Sequence, residues 1–151
     1  MKRTVGILFI MISVITCNAS ADEMNTAESR KALEKVVNDY IENYRQKTLD
    51  QWKELFHPSV TVFFPAEDGT ISVRNLEEFF ERQKNYFAKR KSISERLENV
   101  QIFTGKRIAR IAADFVFVDE GVEHPGKLGL HIVEGTSGWK IVAVLFSYSN
   151  R

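Results

Sequence analysis

The sequence predicts an α+β fold: a curved antiparallel sheet packed against three helices that lie upstream of most of it. Two observations carry this. The last third holds three apolar runs, Ile108 to Val118, Leu128 to Val133 and Trp139 to Tyr148. They are rich in Val, Ile and Phe and are punctuated by Gly121, Pro125-Gly126 and Gly135-Thr136-Ser137-Gly138. That is the pattern of a β-meander with tight turns. Upstream, apolar residues recur at helical spacing, and each such stripe needs a surface to cover it.

In chain order, Leu33, Val36, Val37, Tyr40, Ile41 and Tyr44 line one face of a helix over 27–46. Asn25-Thr26-Ala27-Glu28 offers a capping-box start for it. Thr48 and Gln51 suggest a second capping box, opening a short helix with Leu49, Trp52, Leu55 and Phe56 on its apolar face. That helix should stop at His57-Pro58, because a residue before proline avoids the α region. A strand is expected over 59–65 and a turn at Asp68-Gly69. Asn75 and Glu78 begin a third helix, whose stripe is Leu76, Phe79, Phe80, Gln83, Tyr86 and Phe87. Residues 95–104, with Leu97, Val100 and Ile102, lead as a strand into the meander. The order is two helices, a strand, a helix and four strands, which makes one domain over residues 22–151.

The first 21 residues have another character. Lys2-Arg3, the apolar run Val5 to Ile15 and Ala19-Ser20-Ala21 before Asp22-Glu23 match a secretory signal peptide, too short in its apolar part to span a bilayer. Export, with a periplasmic destination, is therefore expected. Val14-Ile15-Thr16-Cys17 offers an alternative, a degenerate lipobox that would anchor the chain to a membrane at Cys17. Cleavage after Ala21 removes the only cysteine, which excludes disulfides and thiol chemistry. The formal net charge of +1 also changes, because losing Lys2 and Arg3 leaves 19 basic against 20 acidic residues. So balanced a chain is not expected to bind nucleic acid.

Three segments resemble the NTF2-like superfamily, in its SnoaL-like and lumazine-binding-like branches. Tyr44 to Asp50 is similar to that group's first helix corner, with Tyr44 in place of its Trp and Thr48 in place of an Asp. Leu55-Phe56-His57-Pro58-Ser59-Val60 is similar to its Leu-Phe-x-Pro-Asp-Ala segment, and Gly138-Trp139-Lys140-Ile141-Val142 to its last strand. The resemblance implies an NTF2-like cone with a pocket at its open end. It does not choose among isomerases, dehydratases, cyclases, binding modules and dimerising subunits.

Catalysis in such a pocket would need an Asp or His tuned for proton transfer. Asp114 lies mid-strand, but side-chain alternation puts it with Arg110 and Ala112, opposite the more apolar face of Ile111, Ala113, Phe115 and Phe117. His131 lies between Leu130 and Ile132, where relatives carry a cavity-facing polar residue, with room beside it at Gly129. His57 would cap a helix end, and His124 would sit exposed in a hairpin turn. Three histidines so scattered have no metal-ligand spacing, and no phosphate-cradling glycine loop or nucleophile elbow occurs, so no metal or cofactor is expected. Tyr40, Tyr44, Trp52, Phe64, Phe115 and His131 are the expected pocket residues. Lacking a convincing acid and base together, the chain is expected to bind a small, largely apolar or aromatic ligand without turning it over, with a homodimer through the sheet as one option. The alternatives are a lyase or isomerase acting on a cyclic carbonyl compound through His131 and Asp114, and an interaction module of an envelope complex.

Overall fold

The computed structural model describes residues 21–66 and 68–149, with side chains from 27 onward. Residues 1–20 of the proposed signal segment, Cys17 among them, lie outside the described residues. Three helices, α1 (Ala21–Asn43), α2 (Leu49–Lys53) and α3 (Leu76–Lys89), pack against one six-stranded sheet. Its strands are β1 (Phe56–Pro65), β2 (Ile71–Arg74), β3 (Ile93–Thr104), β4 (Ile108–Asp119), β5 (Val122–Gly135) and β6 (Gly138–Tyr148). The spatial order is β2-β1-β6-β5-β4-β3. The meander is antiparallel as expected, but the sheet is mixed, because β1 runs parallel to β6. No described helix is long and apolar enough to cross a membrane.

Helix α1 buries Leu33, Val36 and Tyr40, and its outer face carries the i,i+4 ion pairs Arg30–Glu34 and Lys35–Asp39. It ends at Asn43, three residues before the expected limit. The expected capping box at Thr48 does not form. The Thr48 hydroxyl instead donates to the Asn43 carbonyl at 3.1 Å and so satisfies the end of α1. Helix α2 is one turn long, and β1 begins at Phe56, so His57-Pro58 lies in a strand and not at a helix end. There His57 Nδ1 accepts from the Ser59 amide at 3.1 Å. Pro58 has no N–H for the ladder, and the β1–β6 register slips between Phe56 and Thr61.

Strand β2 was not anticipated. It is four residues long and at the sheet edge, and its apolar side chains Ile71 and Val73 are exposed, so no buried pattern announces it. Asp68-Gly69 does make the β1–β2 turn: Gly69 has φ +81°, and Asp68 Oδ1 accepts from the Thr70 amide at 2.9 Å. The Asn75–Glu78 capping box forms in both directions at the start of α3. Helix α3 therefore follows two strands, and only α1 and α2 precede the whole sheet.

Strand β3 carries a bulge between Glu98 and Gln101, with Asn99 at φ +52°. The inward-facing set changes there from Ile93, Glu95 and Leu97 to Ile102 and Thr104. Strand β4 has no such interruption. The β4–β5 turn is Glu120-Gly121, both at positive φ, and β5 starts at Val122. His124, Pro125 and Gly126 are thus strand residues, which moves His124 out of the expected turn. Pro125 is tolerated because β6 pairs with β5 only from Gly126 onward.

Candidate functional site

The concave sheet face and the three helices enclose a cavity of about 530 Å³, within the range of small-molecule sites. Its floor is aromatic. Trp52 is wholly buried, with its ring centroid 5.4 Å from Tyr40, 5.1 Å from Tyr44 and 4.6 Å from Phe56. One wall is formed by Phe115 and Phe117 of β4, and Phe146 and Tyr148 of β6 close another. Phe115 can lie where it does because its cross-strand neighbour is Gly126. A Cβ there would come within 2.3 Å of the ring and 2.4 Å of the Ser147 carbonyl.

Polar groups are few and specific. The Tyr44 hydroxyl donates to Gln83 Oε1 at 2.6 Å, which explains the one polar residue in the α3 stripe. The Tyr86 hydroxyl donates to Asp119 Oδ2 at 2.7 Å. Trp52 Nε1 is buried without a hydrogen-bond partner, a cost of about 1–3 kcal/mol that the fold carries directly beneath the cavity. Burial, and next the charge of Glu95, push the Tyr40 and Tyr44 phenols well above their ordinary value, so both remain O–H groups at any physiological pH.

Glu95 is the group that sequence reasoning missed. It lies on β3 on the inward parity of Ile93 and Leu97, directly across from Phe117, with His124 next in the same cross-strand row. Its side chain is half-buried because it opens on the cavity, yet it is walled in by protein. Burial alone pushes its carboxyl up to about 8, with no cation or hydrogen-bond donor offsetting the rise. Two strand spacings put Glu95 and His124 roughly 10 Å apart, on opposite sides of Phe117. The signal was present in the sequence: an acid on the apolar parity of Ile93-x-Glu95-x-Leu97.

Of the expected pocket residues, the structure brings Tyr40, Tyr44, Trp52 and Phe115 together around the cavity. Phe64 stands just behind the wall, stacked on Phe146 at 5.4 Å. His131 is on the exposed outer face of the sheet, opposite Arg110 and Ala143, because Leu130 and Ile132 take the buried side. That corrects its expected place in the pocket. Asp114 also faces outward, accepting from Lys127 at 2.5 Å and Asn99 at 2.8 Å. The Lys127 hydrogen bond, then Asn99, hold its carboxyl below the usual range, opposite to what a pocket base requires. The expected outward partner Arg110 instead sits over the Phe103 ring at 4.5 Å. His124, expected in the exposed turn, is half-buried in the cavity wall, 6.3 Å from both the Phe117 and Tyr148 rings. Among the described residues no group of three or more His, Cys, Asp or Glu could hold a metal ion.

The family model of the SnoaL-like domain matches residues 33–150. The chain belongs to the SnoaL-like family. Its fold is that of NTF2-like proteins of known structure. A candidate scytalone dehydratase from Novosphingobium aromaticivorans DSM 12444 superposes with TM-score 0.69 at 13% identity, over 83% of this chain and 87% of that one. A candidate dehydratase of the NTF2-like family from Streptomyces avermitilis gives 0.68 at 12% identity, over 83% and 99%. An NTF2-like protein of unknown function from Shewanella baltica OS155 gives 0.63 at 13%, over 83% and 97%. At such identities the likeness of this SnoaL-like chain to them is one of fold. No curated protein matches the chain.

Proposed function

We propose that the cavity binds a small cyclic compound and that Glu95 moves a proton on it, which makes the protein a lyase or isomerase. The observation that carries this is the isolated Glu95 carboxyl inside an aromatic cavity, with its pKa pushed up to about 8. General acid–base catalysis works best when the group's pKa lies near the working pH. The sequence argued for binding alone because it showed no acid or base beside the aromatic residues, and Glu95 removes that objection.

In the forward step the Glu95 carboxylate takes a proton from a carbon next to a carbonyl. The electron pair passes to the carbonyl oxygen, where an uncharged phenol such as Tyr40 can donate a hydrogen bond. Where a carbon–carbon double bond lies next to that carbon, the proton can return to the far end of the double bond. The electron pair then flows back from oxygen and the double bond shifts into conjugation, which is an isomerisation. If the pair instead expels a β-hydroxyl, the Glu95 proton leaves with it as water, which is a dehydration. Two structural neighbours are named as dehydratases, the class of the second of these reactions.

The test uses 2-tetralone in deuterated water, with exchange of its α-protons followed by NMR. Exchange above the buffer rate should climb with pH, level off above about 8, and vanish in Glu95→Gln. A 2-tetralone that binds without enhanced exchange would instead establish the non-catalytic binding role.

A further inference from the structure

The cavity is chemically lopsided, and the other end from its aromatic floor says what kind of molecule it takes. Its mouth is lined by Arg74 at the end of β2 and by Arg82 and Lys89 on α3, while Glu95 is the one acid of the lining. Arg74 is not a stray surface charge. Its guanidinium lies 3.9 Å from the Phe64 ring centroid, which fixes the group in place. Desolvation first, and then the charge of Arg82, pull its pKa down, while the charge of Glu78 opposes them. Arg82 lines the same cavity, and its positive charge acts on Arg74. Among the described residues, no ion pair or side-chain hydrogen bond neutralises either one. Glu78, the acid whose charge acts on Arg74, also accepts from the Asn75 amide at 3.3 Å in the capping box. Three cations, Arg74, Arg82 and Lys89, line the cavity against the single acid Glu95, an excess of positive charge that favours an anionic ligand. A planar fork of N–H donors suits a carboxylate in particular.

Building on the cavity reading above, we propose that the ligand is an amphipathic anion, with a cyclic apolar body on the aromatic floor and a carboxylate held at the mouth by Arg74 and Arg82. The arrangement also orients the molecule. With the acid group fixed at the rim, its far end is presented to Trp52, Tyr40 and Glu95. Because Glu95 is uncharged below about pH 8, it does not repel such a ligand at neutral pH.

The test compares 2-naphthoate with 2-naphthamide, which share a shape and differ in charge, by isothermal titration at about pH 6 and low salt. The acid should bind roughly tenfold or more tightly than the amide. This preference should disappear in the double variant Arg74→Gln/Arg82→Gln and shrink in about 0.5 M salt. Arg82 is exposed, so Arg82→Glu alone should fold normally and reverse the preference. An amide that binds as well as the acid, or a preference that survives both variants, overturns the anion site while leaving the cavity reading intact. If neither probe binds, the cavity reading falls and the anion site falls with it.

Discussion

Replacing Glu95 by Gln gives the sharpest physical test, because it can be read from stability without any substrate. Glutamine has the shape of a protonated glutamate, so the variant reproduces the neutral form at every pH. In the wild-type protein the carboxyl is raised from 4.5 to about 8 by burial. The folded state thus holds its proton more tightly than the unfolded chain does. Stability from this group is fully present below pH 4.5, is lost as the unfolded chain ionises while the folded one stays protonated, and levels off above about 8. Each tenfold change in proton affinity is worth about 1.36 kcal/mol, so the ceiling is ~5 kcal/mol. The side chain is not sealed but opens on a cavity that admits water, and screening there reduces the figure to about 2 kcal/mol. For a domain of this size that is a difference of roughly 7 °C in Tm. The two proteins should melt together near pH 4.5, and the variant should melt progressively higher as the pH rises to about 8. Thermal unfolding followed by circular dichroism across this window measures the difference directly. A wild-type minus variant curve that stays flat would refute the buried, proton-holding Glu95, and with it the proton-transfer mechanism.

Two further substitutions test the geometry of the cavity. Gly126→Ala sets a methyl group within 2.3 Å of Phe115 and 2.4 Å of a backbone carbonyl. It should cost about 1–3 kcal/mol in urea unfolding and push Phe115 toward the cavity, weakening 2-tetralone binding; an unchanged midpoint would show that the ring does not lie over the glycine. His131→Ala removes an exposed side chain on the outer face. It should change stability by less than about 0.5 kcal/mol and leave α-proton exchange of 2-tetralone intact. Loss of exchange in this variant would return His131 to the mechanism.

Local chemistry in the sequence determined much of the scaffold. The Asn75–Glu78 capping box, the Asp68-Gly69 turn and the three apolar runs of the meander are each specified within a few residues. The capping box and the turn form where the pattern places them, and the three runs all lie in strands, although β5 opens at Val122, ahead of Pro125-Gly126. The outward direction of Asp114 also follows from strand alternation alone in an uninterrupted β4. The aromatic set of Tyr40, Tyr44, Trp52 and Phe115 was also visible, because large rings on inward faces of several elements have one interior to share.

Other features depended on partners far away in the chain. The sequence could not show that Thr48 would bond the end of α1 rather than the start of α2. Nor could it show that an edge strand with exposed Ile71 and Val73 would pair with β1. The parallel β1–β6 contact joins residues about 80 positions apart, and nothing local encodes such a pairing. The site was decided at this level. Glu95 is an ordinary acid until β4 and the helices close around it, and only desolvation by those elements keeps its carboxyl protonated near neutral pH. Arg74 and Arg82 are ordinary cations until β2 and α3 bring them to the same cavity mouth. Side-chain direction is a local property of a strand, whereas dielectric environment and charge proximity belong to the folded whole.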